Sequence, residues 1–360
     1  MIKHDNNFDV LRLFAAWLVL FSHSYPLSGQ PFADPFSRYV GLDTAGGVGV
    51  AIFFLLSGYL VTQSWQRSSS VTSFVWKRVR RIYPALVVCV LISVLLVGPI
   101  LSTLAPAVYA THPQSISYLL TATGWDIQYV VPGVFWDNTY RHTFNGSLWS
   151  LPYELACYVA LLVVGLLPLA LRWKVSAVAV TLACMLLVRP LSPPASPLEV
   201  MFGLDGYTVK LGLFFAVGSM YLCWSPRLKP LWWVGAIGAL VAWALPDSAL
   251  SRLLWMLSLS TLVLAIALGM SWLPKLPAAM GDWSYGLYLY AFPVQQILAH
   301  YRVDKLLGFA GFTALSTLLA VCCAALSWFI VERPASQINW PFKGLQKTTA
   351  TPVSAPAAHE

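Results

Sequence analysis

The chain alternates long apolar runs with short polar connections. Taking each apolar run of membrane-spanning length as one element predicts ten helices, near 8–26, 45–65, 82–104, 147–168, 174–190, 206–224, 230–246, 252–272, 283–300 and 307–331. A helix rises about 1.5 Å per residue, so about 20 apolar residues cover the hydrocarbon layer. Helices also satisfy their own backbone hydrogen bonds where no water is present. The predicted fold is all-α, a polytopic integral membrane helical bundle of about ten transmembrane helices.

The polar connections orient this bundle. With the N-terminus inside, 15 of the 22 Lys and Arg residues fall on the inner side and seven on the outer. The segment from Arg67 to Arg81 contributes most to that bias, which predicts both termini in the cytoplasm and a multi-pass protein of the cytoplasmic membrane. Residues 1–341 read as one membrane domain. The segment 342–360, rich in Thr, Ala, Ser and Pro, reads as a disordered cytoplasmic tail. Two outer loops are long, Pro26 to Thr44 and roughly Ala105 to Gly146. The second is rich in Trp, Tyr, Pro, His and Asp, which suits either an acceptor platform or the aromatic belt of a membrane surface.

Composition agrees with the pattern: 58% of residues are hydrophobic, 10% are charged, and the mean hydropathy is +0.69. That excludes an ordinary soluble domain. The net charge of +8 does not point to nucleic acid, because the basic residues lie in short clusters between apolar runs. No cleavable leader is evident, since Met1 to Phe8 is polar and the first apolar run is long enough to remain as an anchor. Cys89, Cys157, Cys184, Cys223, Cys322 and Cys323 sit in or beside apolar runs without metal-ligand spacing. They read as reduced packing residues, and no metal site is expected.

Chemistry enters with two ionisable residues inside the first run, Arg12 and His23. They are eleven residues apart, which on a helix is roughly 1,100° of turn and 16 Å of rise, so both lie on one face. An ionisable group at membrane depth is expensive and marks function unless it snorkels or finds a partner. In Phe74-Val-Trp-Lys-Arg-Val-Arg-Arg-Ile-Tyr-Pro84, Arg78 and Arg81 are helix neighbours whose guanidinium forks could grip a phosphorylated ligand. Topological charge or lipid headgroup contact would also explain them. The run Gly46-Gly-Val-Gly-Val-Ala-Ile-Phe-Phe-Leu-Leu-Ser-Gly-Tyr59 carries small residues suited to close helix packing. Glu154, about two turns into the fourth span, needs a partner, and His23 is the candidate. Asp282 and Ser284 read as caps of the ninth span, with Tyr285, Tyr288 and Glu332 as packing or boundary groups.

Arg12 and His23, Gly49-Val-Ala-Ile-Phe-Phe-Leu-Leu-Ser-Gly58, Arg78-Val-Arg-Arg81 before Ile82-Tyr-Pro84, Ser147-Leu-Trp-Ser-Leu-Pro-Tyr-Glu154, Ser284-Tyr-Gly-Leu-Tyr-Leu-Tyr290 and Trp328-Phe-Ile-Val-Glu-Arg-Pro334 occur in this order. Together, from about Asp9 to Pro334, they resemble the membrane acyltransferase family 3. The resemblance implies an integral membrane enzyme that moves an acyl group, usually acetyl from cytoplasmic acetyl-coenzyme A, onto a hydroxyl of an extracytoplasmic or lipid-linked saccharide. It makes His23 the essential histidine, Arg12 the first-helix basic residue, Arg78 and Arg81 the cytoplasmic arginine pair, and Glu154 the acidic position of the Trp-containing motif. The family often has a histidine or tryptophan after the ninth-helix tyrosines. Here Ala291-Phe-Pro-Val-Gln-Gln296 follows, a departure that bears on acceptor choice. No fused extracytoplasmic hydrolase-like domain is seen.

The resulting expectation is that Arg78 and Arg81 receive the charged end of the donor and Arg12 lines the way inward. His23 acts as general base or acyl relay, and Glu154 orients its imidazole. A transporter of an anionic metabolite or lipid-linked sugar, with His23 and Glu154 as proton relay, is the competing class. The absence of a readable repeat argues weakly against it. In a non-catalytic assembly or sensor protein, His23 would be a satisfied buried polar group.

Overall fold

The computed structural model describes residues 7–31, 34–188, 205–225, 230–269, 276–277 and 280–338. Its main helices are α1 Phe8–Leu27, α2 Ala45–Arg67, α3 Val71–Leu101, α4 Gly146–Leu166, α5 Leu171–Val188, α6 Gly206–Trp224, α7 Trp232–Ala244, α8 Ala249–Gly269, α9 Ser284–His300 and α10 Val303–Gln337. No β-strand occurs among the described residues. Eight of these helices are long and apolar enough to cross a membrane. The other two are shorter, α7 with 13 residues and α9 with 17. The predicted tail, 342–360, lies outside the described residues, as do Lys3, Arg189, Arg227, Lys229, Lys275, Lys343 and Lys347 of the charge reading.

Two helices extend past the apolar runs that predicted them. α3 begins at Val71 rather than near 82, because the basic segment is itself helical, with Ser70 Oγ accepting from Ser73 N at 3.1 Å as its cap. Hydropathy registers only the part of a helix that faces lipid. α10 continues to Gln337 through a π-helical turn, Trp328–Glu332, of the kind that re-aims side chains at functional sites.

Helices α1 and α6 pack against α2, and the glycines of the second run explain how closely. A Cβ on Gly58 would lie 2.0 Å from the carbonyl oxygen of Phe215, and one on Gly218 equally close to that of Leu55. In lipid, where the hydrophobic effect does not drive helices together, such close approach supplies dispersion contact. Ala16, Leu20, Leu287, Ala291, Ala320 and Ala324 make a second small-residue seam where α1, α9 and α10 meet. Large apolar side chains such as Leu95, Val163, Leu240 and Ile330 are exposed on the outer face, as a bilayer-facing surface requires.

The two ends of the bundle differ. At the basic end Asn7 N donates to Ala267 O at 3.0 Å, and Arg80 Nη1 donates to Ser336 O at 2.7 Å. At the loop end buried Asp34 accepts from Ser22 Oγ (2.6 Å), Ser37 N (2.9 Å) and Ala45 N (2.8 Å), tying the first long loop to α1 and α2. Lys210 and Asp43 pair there at 2.8 Å. The second long loop is folded around its own aromatic cluster of Tyr118, Phe135 and Phe144.

Candidate active site

A cavity of about 410 Å³ runs into the bundle from the basic end. Its wall carries five cations, Arg12, Lys77, Arg78, Arg80 and Arg81, against four carboxylates, Asp9, Glu154, Asp282 and Glu332. Arg12 from α1 and Arg81 from α3 converge on one carboxylate, Asp282, in the turn before α9. Arg12 Nη1 donates to Asp282 Oδ2, and Arg81 Nη2 donates to the same oxygen at 2.7 Å. Burial alone would push the Asp282 carboxyl up; the guanidiniums of Arg12 and Arg81 outweigh it and, with the hydroxyl and N–H of Ser284, hold it down at about 2. Ser284 N donates to Asp282 Oδ1 at 3.1 Å, so the expected helix cap is present and is also an ion clamp.

The π-helical turn of α10 brings Glu332 to the same place. Ser327 Oγ donates to its Oε1 at 2.9 Å, and its Oε2 lies 3.5 Å from Arg81 Nη1. Arg81 also lies over the Tyr285 ring, 5.4 Å from its centroid. Its neighbour Arg78 is differently placed. Arg78 Nη2 donates to Ser64 Oγ at 3.4 Å, and its guanidinium stands 5.7 Å from the Tyr158 ring and 5.9 Å from that of Phe74. Arg78 Nε is buried without a hydrogen-bond partner. The two arginines do share one cavity, but Arg81 is committed to carboxylates and Arg78 to hydroxyls and aromatic rings.

Glu154 also faces this cavity, where its carboxylate accepts from the Tyr158 hydroxyl one turn on. Ser57 and Tyr158 hydroxyls lie 3.3 Å apart. The expected pairing of Glu154 with His23 is therefore corrected. Glu154 sits seven residues past Ser147, roughly 10 Å along the helix, and it is Ser147 that meets the histidine. His23 Nδ1 lies 3.5 Å from Ser147 Oγ, and the imidazole packs edge-on against Phe292 at 5.1 Å. Arg12 meets Asp282 just before α9 and His23 meets Phe292 near its middle, so both face α9 as their common helix face required.

His23 is not part of the cavity wall, but a short polar link joins the two. Ser150 and Tyr288 line the inner cavity. Their hydroxyls are 2.7 Å apart, and Tyr288 donates to the carbonyl of Ser147. Pro293 helps to fix this link: lacking an N–H, it leaves the carbonyl of Leu289 without its usual helical donor, and Asn145 Nδ2 donates there at 2.9 Å. Asn145 thus pins the start of α4 to α9 beside His23. Sequence reasoning gave Asp282 only a capping role and took Tyr288 and Glu332 as packing or boundary groups. The available signal was a carboxylate next to a span with more cations than counter-ions nearby.

The described residues thus form a helical bundle apolar enough to cross a membrane, with a charged cavity at its basic end and a histidine held deeper inside. The chain belongs to the acyltransferase 3 family, whose acyltransferase domain matches residues 5–330. It is 33% identical to a protein named O-acetyl transferase of Shigella phage Sf6, over 91% of this chain and 95% of the relative. It is 32% identical to Nodulation protein 10 of Rhizobium leguminosarum bv. viciae, over 93% and 94% respectively. Acyltransferase MdmB of Streptomyces mycarofaciens is 26% identical over 91% and 90%. No solved structure matches the chain. The protein is a membrane O-acyltransferase, of the O-acetyltransferase kind.

Proposed function

We propose that the protein moves an acetyl group from acetyl-coenzyme A, taken up from the cytoplasm at the basic end, to a hydroxyl of a cell-surface or lipid-linked saccharide at the loop end. One observation carries the proposal: the cavity runs from Arg78, whose guanidinium meets hydroxyls and rings and not a carboxylate, to Ser150 and Tyr288, which bond the segment that meets His23. A thioester donor has a phosphorylated end and a long thin arm. Arg78 binds the phosphates by charge-assisted hydrogen bonds, and the arm lies in the cavity past Arg12 and Glu154. With Nδ1–H donating to Ser147 Oγ, His23 Nε2 carries the lone pair. It accepts the proton of the saccharide hydroxyl as the oxygen attacks the thioester carbonyl. The C–O bond forms, the C–S bond breaks, and the thiolate recovers the proton. Glu154 acts in the cavity through Tyr158 and Arg78, not on the imidazole. A proton-relay transporter would need His23 and Glu154 linked, and among the described residues no hydrogen bond joins them.

The test is thiol release from acetyl-coenzyme A by purified protein with a panel of saccharides. His23→Ala is expected to lower saccharide-dependent release by roughly 10²- to 10⁴-fold. Arg78→Ala is expected to weaken donor binding roughly 10- to 100-fold, the worth of a charge-assisted bond. Folded wild-type protein that neither binds nor consumes the donor would refute the proposal.

A further inference from the structure

Three non-glycine residues have positive φ among the described residues, Phe135 (57°), His142 (57°) and Arg302 (58°), and all three belong to one patch at the loop end. Left-handed backbone is uncommon outside glycine, and strain of this kind gathers at ligand clamps. Its effect here is to turn neighbouring side chains in opposite directions. Phe135 goes inward and stacks on Phe144 at 5.4 Å, while the next residue, Trp136, is turned out to 42% exposure. The indole lies 5.5 Å from the exposed His142 imidazole. Asp137 and Arg141 are exposed beside it, and Arg302 Nη2 reaches the carbonyl of Asp137 at 3.3 Å.

This loop is bolted to α9 by one buried amide. Gln296 Nε2 donates to the carbonyls of Tyr140 (2.8 Å) and Thr143 (2.6 Å). Gln296 Oε1 accepts from Asn138 Nδ2 at 2.7 Å, and the same nitrogen donates to the Gln296 carbonyl at 2.9 Å. Gln296 and Asn138 are both buried, and such a satisfied polar network holds one geometry. One helical turn earlier Phe292 packs edge-on against both Tyr140 (5.9 Å) and His23 (5.1 Å). The loop is thereby held in register with the histidine through two residues of α9, Phe292 and Gln296.

An outward indole flanked by an imidazole, a carboxylate and guanidiniums, on a backbone fixed at a cost in strain, fits a pyranose. The C–H face of the sugar stacks on the indole, and its hydroxyls bond the polar groups around it. A membrane-surface aromatic needs neither the strained backbone nor the network beneath it. Resting on the acyl-transfer reading above, we infer that Trp136, Asp137, Arg141 and His142 form the saccharide acceptor subsite, and that Gln296 sets acceptor selectivity by holding this loop over His23.

The experiment measures thiol release from acetyl-coenzyme A in nanodiscs with benzyl glycosides of glucose, galactose, mannose and N-acetylglucosamine. Trp136→Ala is expected to raise the acceptor KM roughly tenfold with the donor KM within about twofold, and Trp136→Phe to restore most of the loss. Gln296→Met is expected to change the order of preference among the glycosides. Tyr39, 73% exposed on the other long loop, is the control: Tyr39→Ala should leave the acceptor KM as it was. An unchanged acceptor KM in Trp136→Ala, or an equal rise in Tyr39→Ala, overturns the subsite while acyl transfer stands. Thiol release that no glycoside accelerates also overturns the subsite. No thiol release under any condition overturns the acyl-transfer reading and the subsite with it.

Discussion

Replacing Asp282 by Asn removes one charge and little else. Asn caps a helix as well as Asp does, so the bond from Ser284 N to the side-chain oxygen can remain. What disappears is the counter-charge shared by Arg12 and Arg81, in a cluster whose side chains are only 17%, 21% and 23% exposed. A carboxyl that titrates at about 2 in the fold, against an ordinary 3.8, contributes on the order of 2 kcal/mol to folding at neutral pH. The folded state lowers this pKa, so the contribution is complete above about pH 4 and drains away as the pH falls towards 2. Intrinsic fluorescence from the 16 tryptophans reports thermal unfolding in nanodiscs. At pH 7 Asp282→Asn is expected to melt roughly 3 °C below the wild type, with the gap narrowing steadily below pH 4. Equal melting temperatures at pH 7, or a gap that does not narrow in acid, would refute the charge-clamp argument.

Tyr288→Phe deletes the hydroxyl that joins Ser150 to the Ser147 carbonyl. It is expected to cut kcat about tenfold at unchanged donor KM and to shift the acidic limb of the pH–rate profile, because Ser147 holds His23; a loss confined to donor KM would contradict it. Gly58→Leu drives a side chain into the Phe215 carbonyl, where even a Cβ has only 2.0 Å. The yield of monodisperse protein on size exclusion should collapse, whereas Gly269→Ala, with nothing within 4 Å of the added Cβ, should behave as wild type.

The membrane bundle was legible because period and length are local properties, and so was the shared face of Arg12 and His23. Partners across the bundle were not. Asp282 lies 270 residues from Arg12 and 201 from Arg81, and Glu332 lies 251 from Arg81. No helical period carries information over such distances. His23 and Glu154 looked like a pair because each lacked a local counterpart. The structure instead gives Ser147 to the histidine and Tyr158 to the glutamate, two residues that a search for complementary charge passes over. The short helices α7 and α9 were found because composition marked them, although their lengths of 13 and 17 residues fall below the others. The anchoring role of Gln296 was hidden for another reason: an amide shows its worth only when the carbonyls it satisfies are placed around it.

The clamp on Arg12 has a consequence for how the protein is made. Synthesis proceeds at about 5–20 residues per second, so the 270 residues that separate Arg12 from Asp282 take roughly 14 to 54 s to follow it out of the ribosome. Throughout that interval Arg12 lacks Asp282, the carboxylate that clamps it in the folded protein. Arg12 lies only four residues from the start of that helix, where a long side chain reaches the phosphate headgroups, so lipid serves as its temporary partner. Arrival of the ninth helix then exchanges a lipid phosphate for Asp282.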